Sequence, residues 1–111
     1  MRITITARHF KAPDTLKSFV REEVSRLEKY YDGAMSSEVI LSWENFNQIA
    51  EITLKVARQN LVAVEKSEQI RKSVSRAVEK LERQLKKLKD KRQTRYKSGA
   101  KKAETVARTA P

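Results

Sequence analysis

Ile70, Val74, Ala77, Val78, Leu81, Leu85 and Leu88 recur at helical spacing and make the cleanest apolar stripe in the chain. A helix with one apolar face must lay that face on another layer. The sequence upstream supplies a sheet. RITITA (2–7) alternates Ile3 and Ile5 with Thr4 and Thr6, a strand pattern. SEVILSWE places Val39, Leu41 and Trp43 in phase, which assigns Trp43 to the core rather than to an exposed stacking role. QIAEITLKVA puts Ala50, Ile52, Leu54 and Val56 on one face, and Glu51, Thr53 and Lys55 on the other. NLVAVE is a short last strand, and the links ENFNQ and RQN have the asparagines of hairpin turns.

A first helix fits between the first two strands. Pro13 suits its first turn, Asp14 its positive end, and Leu16, Phe19, Val20, Val24, Leu27 and Tyr31 its buried stripe. Asp32-Gly33 closes it, with Gly33 in a left-handed position. Ser67 is the expected N-cap of the second helix, with Glu68 in its first turn, and that helix runs to about Lys91. The expected fold is α+β, in the order β-α-β-β-β-α. One four-stranded sheet has two helices packed on one face, and its first two strands pair in parallel through a right-handed crossover. Residues 1–91 form the domain, and 92–111 read as a basic, disordered tail.

Charge is distributed unevenly along this order. The net charge is +11. Residues 1–65 hold nine basic and nine acidic side chains, so the whole excess lies beyond them. Such asymmetry points to a polyanionic partner. Within KLERQLKKLKDKRQTRYK (80–97) only Glu82 and Asp90 are acidic. With Leu81 at the centre of the buried face, Lys72, Arg76, Lys80, Arg83, Lys87 and Lys91 fall on one outer arc, a rail about 28 Å long at ~1.5 Å per residue. Glu68, Glu79 and Glu82 fall on the neighbouring flank, where Glu79–Arg83 and Glu82–Lys86 have favourable helical spacing. A solvated helix face is the bland reading of such a run; the segregation of charge favours an anion-binding surface. The tail adds Arg92, Arg95, Lys97, Lys101, Lys102 and Arg108, with Tyr96 a possible stacking residue.

No pattern in the chain builds an active site. There is no cysteine, which excludes disulfides and thiolate metal sites. His9 is the only histidine and has no clustered carboxylates, so it reads as a strand-end residue rather than a metal ligand. Two glycines, Gly33 and Gly99, do not make a phosphate-cradling loop. Neither an enzymatic activity, a cofactor nor a small-molecule substrate is expected. No apolar run approaches the roughly 20 residues of a membrane span, and MRITITARHF does not resemble a signal peptide; a cytoplasmic protein is expected.

KLERQLKKLKDK (80–91) resembles the second helix of the ribosome hibernation-promoting factor family, also called ribosome-associated inhibitor or sigma-54 modulation proteins. MRITITARHFKAPDTLKSFVREEVSRLEKYYD resembles the family's opening strand and helix, and the resemblance covers about residues 1–92. It implies a layout similar to double-stranded RNA-binding domains. It further implies a monomer seated on small-subunit ribosomal RNA, in the mRNA and tRNA channel near the decoding site. There it would compete with tRNA and mRNA and block translation under stress or slow growth. On this resemblance Lys80, Arg83, Lys86, Lys87, Lys89 and Lys91 meet RNA phosphates, and Arg8, Lys17 and Lys29 are secondary contacts. With the rail and tail residues Lys72, Arg76, Arg92 and Arg95, these make up the expected RNA-binding set. The sequence departs from the family at QIRKSVS (69–75), where acidic and aromatic positions become Gln69, Arg71 and Ser75. Residues 92–111 are too few and too polar for the dimerisation domain of long family members. The alternatives are a generic double-stranded RNA-binding module and a transcription-factor-modulating protein-interaction domain. Peripheral membrane binding is disfavoured, because the outer face of the second helix has no large apolar residue to insert.

Overall fold

In a computed structural model, the backbone of residues 1–98 and the side chains of residues 1–88 are described. The elements are β1 (Arg2–Arg8), α1 (Asp14–Ser25), β2 (Met35–Glu44), β3 (Asn47–Val56), β4 (Gln59–Ser67) and α2 (Ile70–Ser98), with a short 3-10 segment, Arg26–Tyr30, continuing α1. The sheet order is β1-β2-β3-β4. β1 pairs with β2 in parallel, Ile5 beside Val39, and the other two pairings are antiparallel. The expected α+β fold, four-stranded sheet and parallel first pairing are all present.

The period-2 alternation works because one sheet face is dry. Val39, Leu41, Ala50, Ile52, Leu54, Val56 and Ala63 point into the core. From above come Leu16, Val20, Val24 and Leu27, and from α2 Val74, Ala77, Val78, Leu81 and Leu85. Fully burying such a side chain is worth about 1.5–3 kcal/mol, so this layer dominates the stability of a chain this small. The open face carries Thr4, Thr6, Glu38, Ile40, Glu51, Thr53, Val62 and Val64. Tyr31 packs against the edge of the core, but from an extended position past the helix and not from the expected helical stripe.

Both hairpins turn through two residues, Asn45-Phe46 and Ala57-Arg58. Asn45 and Ala57 take positive φ (55° and 56°), which suits Asn better than Ala. Gly33 does not have the expected left-handed conformation. Its lack of a side chain matters for another reason: an added Cβ would lie 2.5 Å from the Tyr31 ring.

Three further local expectations change. α2 begins at Ile70, so Glu68 is outside the helix and Ser67 is the last residue of β4. The Gln69 carbonyl accepts the Ser73 N–H, which puts Gln69 at the cap position. The cap comes from a distant strand. Ile70 N–H donates to Gln48 Oε1 at 2.7 Å, and the buried Ser73 hydroxyl donates to the Gln48 carbonyl at 2.7 Å. Ser67 Oγ accepts the Gln69 N–H and lies 2.7 Å from Ser73 Oγ, closing the turn between β4 and α2. Second, α2 runs to Ser98, past the expected end near Lys91. Its apolar stripe stops at Leu88, but the residues that follow are mostly good helix formers, which need no apolar face to continue the helix. Third, Trp43 is 44% exposed rather than buried. β1 ends opposite Ser42 and α2 starts beside Gln48, the partner of Trp43, so neither element covers position 43. The expected tail lies outside the described residues from Gly99 onward.

Candidate nucleic-acid interface

The apolar stripe fixes how α2 is rotated, and this rotation sets the direction of every cation on it. Two flanks of the helix are occupied. Toward α1, the Arg71 guanidinium lies 4.9 Å from the centre of the Phe19 ring, and Ser75 Oγ donates to Glu23 Oε1 at 3.4 Å. Two of the three residues that depart from the family pattern, Arg71 and Ser75, thus build the seam with α1. Lower on that flank, Lys86 pairs with Glu82 at 3.2 Å and lies 5.2 Å above the Tyr30 ring. The Lys86 hydrogen bond, helped by the Tyr30 hydroxyl and by Arg26, holds the Glu82 carboxyl below its ordinary pKa, against the opposing effect of burial. Toward β4, Lys80 forms an ion pair with Glu65, and Gln84 Nε2 donates to the Val62 carbonyl of this edge strand at 3.2 Å.

Between these flanks, Lys72, Arg76, Arg83 and Lys87 are exposed and make no ion pair among the described residues. The expected Glu82–Lys86 pair forms; Glu79 and Arg83 do not pair. From Lys72 to Lys87 the expected outer arc is exposed, except that Lys80 is held by Glu65. Lys86, an RNA contact by the resemblance and not part of the rail, belongs to the α1 seam. The side chains of Lys89, Lys91, Arg92 and Arg95 lie outside the described residues, although α2 carries their backbone.

The secondary set lies on elements other than α2. Lys17 is half-buried on α1 and Lys29 is exposed on the 3-10 segment. Arg8 is exposed at the end of β1, in phase with Arg2, Thr4 and Thr6, on the sheet face turned away from the helices. His9 is exposed with φ 70°, just past the strand. Among the described residues no group of His, Cys, Asp or Glu could hold a metal ion, and no helix is long and apolar enough to cross a membrane.

Sequence reasoning missed one exposed cluster. Phe10 stacks on Trp43 with ring centres 4.9 Å apart and planes 9° from parallel, and Phe46 at the β2–β3 turn is 91% exposed. An aromatic residue in the ENFN turn was the available signal, because a two-residue hairpin turn has no core to bury it in.

The fold and this helix define a class: a small α+β domain with one covered sheet face and a segregated cationic helix outside it. The chain belongs to the family described as Sigma 54 modulation protein / S30EA ribosomal protein, whose model matches residues 3–93. Among its relatives are proteins named ribosome hibernation promoting factor. The one from Pseudomonas putida is 31% identical over 94 residues, covering 85% of this chain and 92% of the relative. The one from Azotobacter vinelandii is 34% identical, covering 82% and 85%. The N-terminal domain of Thermus thermophilus Protein Y superposes with a TM-score of 0.74 at 27% identity, covering 79% of this chain and 99% of that domain. A ribosomal subunit interface protein from Coxiella burnetii shares the fold, with a TM-score of 0.76 at 22% identity.

Proposed function

We propose that this chain is a ribosome hibernation factor that seats the α2 rail on small-subunit ribosomal RNA, in the channel used by mRNA and tRNA, and inhibits translation by occupancy. The observation that carries this reading is that Lys72, Arg76, Arg83 and Lys87 are exposed and have no ion-pair partner among the described residues. Like charges three or four residues apart on a helix cost a few tenths of a kcal/mol per pair. The fold gains nothing from gathering them, so their value lies in an external polyanion. Family membership selects the ribosome from among polyanions. The protein acts as a monomer in the cytoplasm, without chemistry: it lowers translation by excluding competitors from a site.

The test is sedimentation of purified small subunits with the protein through sucrose at rising salt. Co-sedimentation should be lost as salt rises and be competed by tRNA and mRNA. The Arg76→Glu/Arg83→Glu/Lys87→Glu variant should bind far more weakly, with a shallower salt dependence, while melting like the parent, since these side chains avoid the core. Unchanged co-sedimentation of that variant would remove the rail from the mechanism. Equal affinity for free RNA duplexes would make the chain a generic duplex binder, and binding that survives nuclease would point to an acidic protein.

A further inference from the structure

The aromatic cluster lies at the end of the molecule where β1 stops and α2 starts. His9, in the left-handed region, turns the chain so that Phe10 covers one face of the Trp43 indole. The indole remains 44% exposed. With Phe46 it lines a cleft of about 410 Å³ completed by Asn45, Gln48 and Glu68. Three properties of the cleft narrow its occupant. Its apolar lining is all aromatic, and each ring offers a face on which a base can stack. Its polar lining consists of amides and one carboxylate, groups that hydrogen-bond the amino and carbonyl edges of a base. The sequence neighbours of Phe10, Arg8, His9 and Lys11, are all exposed, and Arg8 and Lys11 are cations suited to phosphate contact. Glu44 and the lining residue Glu68 are the nearby opposing charges.

We infer that the Phe10–Trp43 stack and Phe46 form a platform for one unpaired nucleobase of the bound RNA, a contact separate from the phosphate rail. Stacking on aromatic side chains accepts any base, because each has a π-face. A base in a duplex is already stacked and does not enter the cleft, so the platform would select single-stranded or bulged RNA where the rail alone would not. The inference rests on the proposed RNA partner, but it makes a different measurement.

Trp43 is the only tryptophan in the chain, so its fluorescence reports on this cleft alone. The full chain is titrated with a short unstructured oligoribonucleotide, and separately with the same strand annealed into a blunt duplex. The single strand should quench Trp43 saturably and the duplex should not. Phe46→Ala should weaken binding of the single strand about tenfold, the scale of one base–aromatic stack, with an unchanged melting curve. Equal quenching by the duplex would overturn the inference. Absence of quenching in a chain that still co-sediments with small subunits would also overturn it and leave the ribosome reading intact. Quenching by the strand in a chain that does not co-sediment would support the platform and remove the ribosome reading. Quenching that grows with protein concentration alone would overturn the platform in favour of self-association.

Discussion

α1 and α2 do the same work on one side and different work on the other. Both lay an apolar stripe on the same sheet face, and both contribute fully buried residues. On their outer sides they diverge. α1 and its 3-10 continuation interleave Lys17, Arg21, Arg26 and Lys29 with Glu22, Glu23 and Glu28, and Glu23 pairs with Arg26 at 3.1 Å. Cations and acids there cancel within a turn. Among the described residues of α2, Glu82 keeps to the α1 flank and Glu79 makes no ion pair, while Lys72, Arg76, Arg83 and Lys87 face out. Burial pattern and charge pattern are thus separate layers of information. The first builds a domain, and the second decides what each helix presents to solvent.

The largest test of that difference is in binding. Reversing Arg76, Arg83 and Lys87 should reduce the salt dependence of ribosome binding by a log–log slope of about 2 to 3, roughly one unit per lost phosphate contact. Reversing Lys17 and Lys29 on the α1 side should change it far less; filter binding across a salt series separates the two. Equal effects would erase the contrast between the helices. In stability the helices should behave alike. Leu81→Ala on α2 and Leu16→Ala on α1 should each cost about 2–5 kcal/mol, measured by urea unfolding, with Leu81 at the upper end because it is fully enclosed.

Smaller effects sharpen the comparison at the helix starts. The Pro13 carbonyl receives Leu16 N–H at 3.0 Å, and Pro13 offers no side-chain cap, so α1 has none to lose. α2 depends on Gln48. Gln48→Ala should therefore cost about 1 kcal/mol, the scale of a lost cap, and fray the first turn of α2 in hydrogen exchange. Acid should have the smallest effect. The Glu82 carboxyl titrates below its unfolded value, so the tie between α2 and the 3-10 segment is complete above the ordinary carboxylate range. It is lost as pH falls through the depressed value. An NMR titration of Glu82 in the parent and in Lys86→Met should show the depression largely removed in the variant.

The sequence made the sheet legible because alternation is a local signal. Ile3 and Ile5, Val39 and Leu41, and the run from Ala50 to Val56 each announced a face, and each faces the core. The rail was legible for a similar reason, since α2 is long and its stripe fixes its rotation. What escaped was nonlocal. Phase placed Trp43 on the right face of β2 but could not tell that the covering layer ends before it. Gln48 is 22 residues from the helix it caps, and no spacing rule links them. Lys80 looked like a free rail residue until β4 brought Glu65 beside it.

The parallel pairing of β1 with β2 has a kinetic consequence. The pairing joins Arg2 to Ser36 across the whole of α1, whereas β2, β3 and β4 meet through two-residue turns. Closing a long loop costs more chain entropy than closing a hairpin, and contacts distant in sequence form late. The meander with α2 should thus fold early, with β1 added last, onto an edge. β1 amides should exchange with solvent ahead of those in β3, so the molecule loosens from its N-terminal edge while the helix that carries the charge stays docked.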